Sequence, residues 1–291
     1  MEILVTGANG YSGQRIITRL LDLNHTIWAL ARNSNSSSIS RTNDNLNWVE
    51  ADLLNPVGLP SKIDAVIHTA ASLGVPGVSI NDIVRNNVEA SRVLIQYALT
   101  ANARSFIYFS AMSVYGAVET NEVTETTPII DPNPYGMSKL LGEQMLAEIS
   151  QQLPSTSLRL PAIIGPGSTH AWLDRARENI KAGETVNFVN PDNQFNNLVH
   201  VDELADFVSR LISTDQEDAG VYVLGATSSL PIGELINNMI RELKSNSIVN
   251  AQIDPSAPAF TINCAKAEND LGWAPQNIVE SVDNYIAENS S

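Results

Sequence analysis

The sequence predicts an α/β protein with a doubly wound parallel sheet and a smaller C-terminal α/β lobe. Three observations support this fold class. Short apolar runs alternate with helical stretches through the first half of the chain. These runs are almost continuously apolar, which is typical of parallel strands covered by helices on both faces. A glycine-rich turn, residues 7–13, joins the first apolar run to the first helical stretch.

The elements of the first half follow from hydrophobic spacing. Residues 11–23, for example, place Ile16, Ile17, Leu20 and Leu21 at helical intervals. The same reading predicts strands at 2–6, 26–31, 47–50, 64–68, 105–109 and 157–160, and helices at 11–23, 80–99 and 134–149. After Pro161 the alternation breaks. Helices are expected there at 171–182, 201–212, 232–243 and 278–288, with short strands near 186 and at 221–224.

This change of rhythm predicts two domains. Residues 1–160, joined by about 197–225, are assigned to a dinucleotide-binding domain. Residues of about 161–196 and 226–291 are assigned to a substrate-binding lobe. We expect the lobe to lie over the carboxyl ends of the strands, where open α/β sheets bind their ligands.

Composition excludes several classes of function. The 291 residues carry a formal net charge of -15, which argues against a nucleic-acid partner. The single cysteine, Cys264, excludes a thiolate zinc site, and the dispersed histidines show no metal-ligand spacing, so no metal is expected. The first residues read as a strand without a basic flank, and no apolar run is long enough to span a membrane. The chain is therefore expected to be cytoplasmic, with a small molecule as its partner.

The glycine-rich turn predicts a nucleotide site of the Rossmann type. Gly7 allows a tight turn, Gly10 allows a pyrophosphate to approach the backbone, and Gly13 allows the helix to pack on the strand. The helix N-terminus then offers free N–H groups to phosphate. The GxxGxxG spacing differs from GxGxxG, and a glycine-rich loop without a ligand is the alternative. The residues assigned to the cofactor here are Gly7, Asn9, Gly10, Tyr11, Ser12 and Gly13.

The ends of the next two strands bear on the choice of cofactor. Arg32 stands where NAD-binding chains usually carry an acid for the ribose 2′-hydroxyl, and an Arg there accommodates a 2′-phosphate. NADP is therefore favoured over NAD. Asp52, followed by Leu53, ends the third strand and is expected to face the adenine; the alternative is that Asp52 belongs to a turn before Asn55 and Pro56.

A catalytic pair is predicted at the start of the helix at 134–149. Asn133 is a suitable N-cap, and Pro134 suits the first helical position. Tyr135 and Lys139 are four residues apart and share a helix face. A neighbouring ammonium and a positive nicotinamide ring would lower the pKa of the phenol, which is ordinarily near 10. Tyr135 and Lys139 are therefore predicted to form the centre of the catalytic site.

With these motifs in place, the sequence resembles the extended short-chain dehydrogenase/reductase family, in particular its sugar-nucleotide epimerases and dehydratases. The resemblance covers nearly the whole chain. It implies hydride transfer at C4 of nicotinamide, with Tyr135 as acid and base and Lys139 binding the ribose. It also places Thr69, Ala70, Ala71, Asn87 and Pro161 at the cofactor site. The matching segments are Gly7, Gly10 and Gly13, Asp52-Leu53, 68–71, Asn87-Val88, 113–116, Tyr135 with Lys139, 159–161, 165–167, 200–205 and 271–275.

Four positions depart from the family pattern. Ala111 stands at the family's catalytic Ser or Thr, and Ser110, Ser113 or an ordered water is expected to replace that hydroxyl. Asn196 replaces an Arg that holds the nucleotide diphosphate, and the stretch 254–263, where a second such Arg is expected, contains neither Arg nor Lys. Ala162 replaces a substrate-contacting Asn. Arg175, Arg177 or Lys181 could still reach phosphates by another geometry.

The predicted function is hydride transfer between nicotinamide and a secondary alcohol or carbonyl of a small substrate, of which a sugar is one candidate. The first alternative is a nucleotide-sugar epimerase or dehydratase that retains its cofactor. The second is a catalytically silent NADP-binding sensor or scaffold, which Ala111 would suit. The resemblance also makes a homodimer a candidate assembly, with a four-helix bundle built from 80–99 and 134–149.

Overall fold

A computed structural model describes residues 1–33, 39, 43–169, 171–213, 220–257 and 259–288. The strands are β1 (Glu2–Thr6), β2 (Thr26–Ala31), β3 (Leu46–Glu50), β4 (Ala65–His68), β5 (Ser105–Ala111), β6 (Glu122–Val123), β7 (Ser155–Leu160), β8 (Ala162–Ile164), β9 (Val186–Val189), β10 (Gln194–Phe195), β11 (Leu198–His200), β12 (Gly220–Val223), β13 (Leu230–Pro231), β14 (Val249–Gln252) and β15 (Thr261–Ile262). The helices are α1 (Tyr11–Asp22), α2 (Ile80–Ile83), α3 (Ala90–Thr100), α4 (Pro134–Glu148), α5 (Trp172–Lys181), α6 (Val201–Leu211), α7 (Ile232–Glu242), α8 (Ala265–Leu271) and α9 (Ile278–Glu288).

In the part of the chain that the structure describes, the main sheet has seven strands in the order β12-β7-β5-β4-β1-β2-β3. The pairings among β1 to β5 are parallel. From β3 to β5 this is the strand order of a dinucleotide-binding sheet, in which β2 and β3 lie on one side of β1 and β4 and β5 lie on the other. Strands β4 and β5 are buried along their whole length, and β1 is buried from its second residue, as expected for parallel strands covered on both faces. The predicted fold class is confirmed.

The first compact unit comprises 1–116, 129–159 and 204–222. Its core includes a cluster between the sheet and the following helices, with Leu4, Val66, Phe106 and Leu94 each buried. One helical segment differs from the prediction at 80–99. There α2 passes into a π-helical stretch, Val84–Glu89, before α3 begins.

The second unit comprises 117–128, 160–203 and 223–291. Its own core gathers residues of α5, α7 and α9, among them Leu173, Met239 and Tyr285. Four two-stranded pairs, β6 with β15, β8 with β11, β9 with β14 and β10 with β13, complete it within the described residues. Several of these strands are only two or three residues long and carry no readable alternation, so the sequence did not predict them. The assignment of the two units to cofactor and substrate binding stays a prediction.

Candidate active site

The glycine-rich turn has the close packing that the sequence predicts. Gly7 adopts φ 68°, a left-handed conformation that favours glycine. A Cβ on Gly7 would lie 2.6 Å from Thr69 Oγ1 and 2.8 Å from Ala70 N. A Cβ on Gly13 would overlap the Gly7 carbonyl oxygen. Helix α1 therefore begins directly against the end of β1, and a larger residue at either position would push the two apart.

The start of α1 is arranged to receive an anion. Its N-cap, Gly10, has no side chain to satisfy the first N–H groups of the helix. The Gly10 N–H donates to the Gly7 carbonyl at 2.7 Å, which closes the turn. A helix N-terminus whose N-cap residue has no side chain fits a pyrophosphate. Tyr11 and Ser12 follow in the first helical turn.

The end of β4 lies beside this turn. Thr69 donates its hydroxyl hydrogen bond to the Thr6 carbonyl at 2.8 Å, and this bond ties the end of β4 to that of β1. Ala70 and Ala71 continue from there toward the surface, half-buried and exposed respectively. Thr69 and Ala70 are therefore next to the glycine turn, and Ala71 is the residue that follows them. Pro161 follows β7 and belongs to the second unit.

The end of β2 also reaches the turn. The Asn9 side-chain amide donates to the Asn33 carbonyl, and Arg32, which is exposed, precedes that residue. Arg32 is thus one residue from a direct contact with the glycine turn. Asp52 accepts a hydrogen bond from the Leu54 N–H at 2.9 Å and so acts as a turn residue, whereas Leu53 packs against the apolar core.

Asn87 links the segment after β4 to the catalytic helix. Its amide accepts from Ser72 N at 2.7 Å and donates to the Ser72 carbonyl at 3.0 Å. It also donates to Ser138 Oγ on α4 at 2.9 Å. Asn87 is 2% exposed and lies in the π-helical stretch. Its side chain therefore fixes the distance between this segment and α4.

Helix α4 begins as the sequence predicts, and its first turn packs closely on the 3-10 turn that follows β5. The Asn133 side chain accepts from the Gly136 N–H at 2.8 Å, which makes it the N-cap. A Cβ on Gly136 would overlap the Ser113 carbonyl oxygen. This glycine therefore lets the segment that carries Tyr135 touch the turn that carries Ser113.

Tyr135 and Lys139 come together on α4. The Lys139 ammonium is 5.9 Å from the centre of the Tyr135 ring and donates to the Phe109 carbonyl at 2.7 Å. Burial raises the pKa of Tyr135 to about 12. Burial also lowers the pKa of Lys139 to about 7, and nearby Glu143 opposes that change. With this pKa Tyr135 is a neutral phenol at pH 7, so the lowered pKa expected from the sequence requires an added positive charge nearby.

The two serines near Ala111 have different surroundings. Ser110 is 3% exposed, and its hydroxyl donates to the Glu143 carboxylate. Ser113 is half-buried in a 3-10 turn, Met112–Tyr115, whose backbone contacts the first turn of α4. Ala111 ends β5 with no hydroxyl to offer. The structure therefore engages Ser110 in the core and leaves Ser113 beside the Tyr135 segment.

Sequence reasoning missed the buried ion pair next to Lys139. Arg159 on β7 donates to Glu143 on α4 through Nε at 3.0 Å and Nη2 at 2.7 Å. The guanidinium lies 4.7 Å from the centre of the Tyr115 ring. Glu143 follows Lys139 by one helical turn, and that spacing was a signal that could have found it.

His68 has a structural role. Its Nδ1 lies 2.7 Å from Thr6 Oγ1 and its Nε2 lies 3.0 Å from Ser91 Oγ. Complete burial lowers its pKa to about 3, with a further contribution from Lys139. The ring is therefore neutral at physiological pH and joins β1, β4 and α3.

In the second unit, Asn196 is a structural clamp. Its Nδ2 donates to the carbonyls of Ala226 at 3.1 Å and Ile262 at 2.8 Å. Its Oδ1 accepts from the Ile262 N–H at 2.8 Å. The side chain is 5% exposed, so both amide hydrogens and the carbonyl oxygen are used inside the protein.

The basic residues of α5 do not form an evident phosphate site. Arg177 is buried, pairs with Glu178 at 2.9 Å and stacks on Tyr285 at 4.8 Å. Arg175 is exposed. The second unit as a whole carries 17 Asp and Glu against 6 Lys and Arg, a formal charge of -11. A multiply charged anion would therefore meet net repulsion from this unit.

Among the described residues, one group has metal-ligand character: His200, Asp202 and Glu288, whose ligand atoms lie within 4.8 Å. The imidazole is already engaged on both sides. Nδ1 accepts from Asp202 N at 3.3 Å, and Nε2 lies 3.0 Å from Glu288. We therefore assign no metal to it. His170 lies outside the described residues, and no described helix is long and apolar enough to cross a membrane.

The first unit therefore defines a Rossmann-type nucleotide-binding protein. Its glycine turn, which leaves no room for a Cβ, fits the close approach of a dinucleotide pyrophosphate, and a Tyr-Lys pair lies on α4 of the same unit. The family model described as "NAD dependent epimerase/dehydratase family" matches residues 3–225. The chain belongs to this family.

Individual relatives are similar over different spans. A UDP-glucose 4-epimerase of Pasteurella multocida (strain Pm70) is 33% identical over 185 residues, which cover 58% of this chain and 54% of that protein. The chain thus spans about half the length of the first curated relatives it matches. A UDP-glucose 4-epimerase of Erwinia amylovora is 29% identical over 94% of this chain and 93% of that protein. The crystal structure of a UDP-glucuronic acid 4-epimerase from Bacillus cereus in complex with NAD has a TM-score of 0.82 at 21% identity, over 99% and 95% of the two chains.

Proposed function

We propose that this protein transfers hydride between a nicotinamide cofactor and a secondary alcohol or carbonyl of a small, weakly charged substrate. The observation that carries the proposal is the Tyr135–Lys139 pair, whose helix packs against the end of β5. When bound, a nicotinamide cofactor would provide the hydride chemistry, and the residues of this chain would bind it and move the proton. The fit of a dinucleotide rests on the glycine turn, and Lys139 is the residue that would hold the ribose.

Tyr135 would move the proton. As a buried neutral phenol it can donate to a developing alkoxide during carbonyl reduction, and as phenolate it can accept from an alcohol during oxidation. The ammonium of Lys139 and a positive nicotinamide ring both favour the phenolate. With an oxidised, positively charged nicotinamide, Tyr135 would therefore be more readily a phenolate that accepts a proton. With a reduced, neutral nicotinamide it would remain a phenol that donates one.

Ser113 would supply the second hydrogen bond to the substrate oxygen. Ser110 donates to Glu143 in the core, whereas the turn of Ser113 contacts the Tyr135 segment. With Ser113 in this role, Ala111→Ser should leave turnover unchanged. A large gain in turnover from Ala111→Ser would show instead that the position lacks a needed hydroxyl.

The substrate class is inferred from the second unit. Asn196 stands at the position of the family's diphosphate-binding Arg, and its side-chain amide is hydrogen-bonded to the backbone of Ala226 and Ile262. The formal charge of -11 on this unit adds repulsion. A neutral hydrogen bond contributes roughly 0.5–1.5 kcal/mol and a charged one roughly 1.5–3. The absence of two Arg contacts would therefore weaken binding of a nucleotide sugar by on the order of 10²-fold.

The second candidate function is a nucleotide-sugar epimerase or dehydratase that retains its cofactor. It is favoured by the Erwinia amylovora relative, which is similar along nearly the whole chain. Calorimetric titration with UDP-, dTDP- and GDP-sugars at low ionic strength separates the two. We expect no binding in the micromolar range. Micromolar binding of any of them, with nicotinamide that survives dialysis, would favour the epimerase or dehydratase.

A silent sensor is the third reading. It would bind the cofactor and never oxidise it in the presence of any carbonyl compound. Turnover with a panel of sugar-like and lactone-like carbonyls, measured as the loss of NADH or NADPH absorbance, tests this hypothesis directly.

We place the reaction in the cytoplasm, in keeping with the single cysteine, which is buried.

Two observations bear on whether the cofactor is NAD or NADP, and they favour different answers. The family description and the Bacillus cereus structure name NAD. Arg32, next to the glycine turn, favours NADP. We propose NAD as the cofactor of the reaction, and parallel titrations of both cofactors test this proposal against the preference for NADP that Arg32 predicts.

The homodimer also stays a proposal. Ile80 and Val84, near the start of the helical segment at 80–100, are 63% and 44% exposed. Met137 and Leu141 on α4 are each 42% exposed. These apolar side chains belong to the two helices predicted to form the bundle. Sedimentation equilibrium of Leu141→Glu against the unmodified protein tests it, and a monomer in both cases would reject it.

A further inference from the structure

Glu143 is a buried carboxylate with an unusual number of fixed partners. Its side chain is 1% exposed. It accepts hydrogen bonds from the Ser110 hydroxyl and from Nε and Nη2 of Arg159. A buried ion pair costs desolvation free energy, and a hydrophobic replacement is often as stable. Stability alone is therefore a weak explanation for this arrangement.

Lys139 and Glu143 bind consecutive residues of β5. Lys139 Nζ donates to the Phe109 carbonyl at 2.7 Å, and Ser110, the next residue, donates to Glu143. Two points one helical turn apart on α4 thus hold two adjacent positions of the strand. The pair sets the register between α4 and the end of β5, where Ala111 begins the turn toward Ser113.

The charged and titratable groups that face Lys139 come from three elements. Tyr135 and Glu143 share its helix, with the Tyr135 ring 5.9 Å away. The Tyr108 ring of β5 lies 4.9 Å from Nζ. His68 of β4 is neutral. Desolvation lowers the pKa of Lys139, and the negative charge of Glu143 raises it.

We propose that Glu143 is a positioning residue for Lys139: its carboxylate, held by Arg159 and Ser110, keeps the Lys139 amine charged and seated against the Phe109 carbonyl. The inference rests on the proposed function, in which charged Lys139 holds the cofactor ribose. Glu143 itself would not touch the cofactor. Its effect passes through Lys139 alone.

The first experiment follows NADH binding by fluorescence from pH 5 to 10. Binding should weaken as Lys139 loses its proton, and Glu143→Gln should move that midpoint down by about one pH unit, the lower end of the range for a nearby opposite charge. Glu148→Gln, a carboxamide substitution at an exposed position of the same helix, should leave the midpoint in place. An unchanged midpoint in Glu143→Gln would overturn the proposal.

Glu143→Gln leaves the Arg159 guanidinium without its counter-charge, so a second variant is needed. Glu143→Gln with Arg159→Gln removes both charges and keeps amide groups for hydrogen bonding. The lower midpoint should persist in this double variant, because Glu143 and not Arg159 acts on Lys139. A return to the unmodified midpoint would attribute the shift to the unpaired guanidinium and reject the positioning role.

The second experiment does not depend on the cofactor. Urea unfolding is measured for Glu143→Gln, Lys139→Met and their combination at pH 6 and pH 9.5. The coupling between the two substitutions should be about tenfold in the unfolding equilibrium constant at pH 6 and absent at pH 9.5, where Lys139 is neutral. A coupling that is equal at pH 6 and pH 9.5 would arise from side-chain packing and not from charge, and it would overturn the inference. If the unmodified protein binds no nicotinamide cofactor, the proposed function fails, while this cycle still decides the role of Glu143.

Discussion

Replacement of Asn196 by alanine separates a structural clamp from a ligand-binding residue. The substitution removes the three hydrogen bonds to Ala226 and Ile262 and leaves two carbonyls and one N–H without a partner. Each buried group left unpaired costs about 1–3 kcal/mol, so the lower limit for three is about 3 kcal/mol. At roughly 2–4 °C per kcal/mol, the melting temperature should fall by roughly 6–12 °C.

The assay is thermal unfolding followed by tryptophan fluorescence. Trp273 reports on this region directly, because its Nε1 donates to the Gly225 carbonyl at 3.0 Å, next to Ala226. Asn197→Ala is the matched control: Asn197 is half-buried, and its Oδ1 has no hydrogen-bond partner among the described residues. The control should change the melting temperature by no more than about 2 °C.

The contrary result is equally specific. If Asn196→Ala melts with the unmodified protein but loses affinity for a sugar nucleotide, Asn196 contacts a ligand and the clamp is not its role. The argument against a diphosphate-anchored substrate would then lose its main support.

Four further outcomes are expected at the cofactor and catalytic sites. Gly13→Ala should abolish NADH binding in a fluorescence titration, because the added Cβ pushes α1 off the end of β1; retained binding would place the phosphates elsewhere. Arg32→Ala should weaken NADPH binding roughly 10- to 100-fold and NADH binding less than about twofold, and equal losses would remove Arg32 from the 2′-phosphate site. Tyr135→Phe should keep cofactor affinity and lower turnover roughly 10²- to 10⁴-fold, so full activity would refute the proposed acid and base. Ser113→Ala should lower turnover roughly 10²-fold, whereas Ser110→Ala should lower the melting temperature instead; the reverse pattern would exchange their roles.

The features that the sequence determined depend on local spacing. The glycine turn requires three glycines within seven residues, and its position between a strand and a helix is visible along the chain. The Tyr135–Lys139 pair requires a helix and a spacing of four, and the Asn133-Pro134 start of α4 supplies the helix. The alternation of long apolar strands with regular helices likewise predicted the parallel sheet. In each case one short segment contains both the residues and the geometry that joins them.

The features that only the tertiary structure decided join segments distant in the chain. The carboxylate of Glu143, on α4, accepts hydrogen bonds from Ser110 on β5 and Arg159 on β7. Asn196 is hydrogen-bonded to Ile262, which lies 66 residues away in the chain. Sequence left Ser110 and Ser113 as equal substitutes for the hydroxyl missing at Ala111. The fold separates them, because a buried carboxylate must be satisfied and Ser110 is the hydroxyl that packing brings to it. A spacing rule cannot see such partners, since their distance is set by how the elements pack and not by how many residues lie between them.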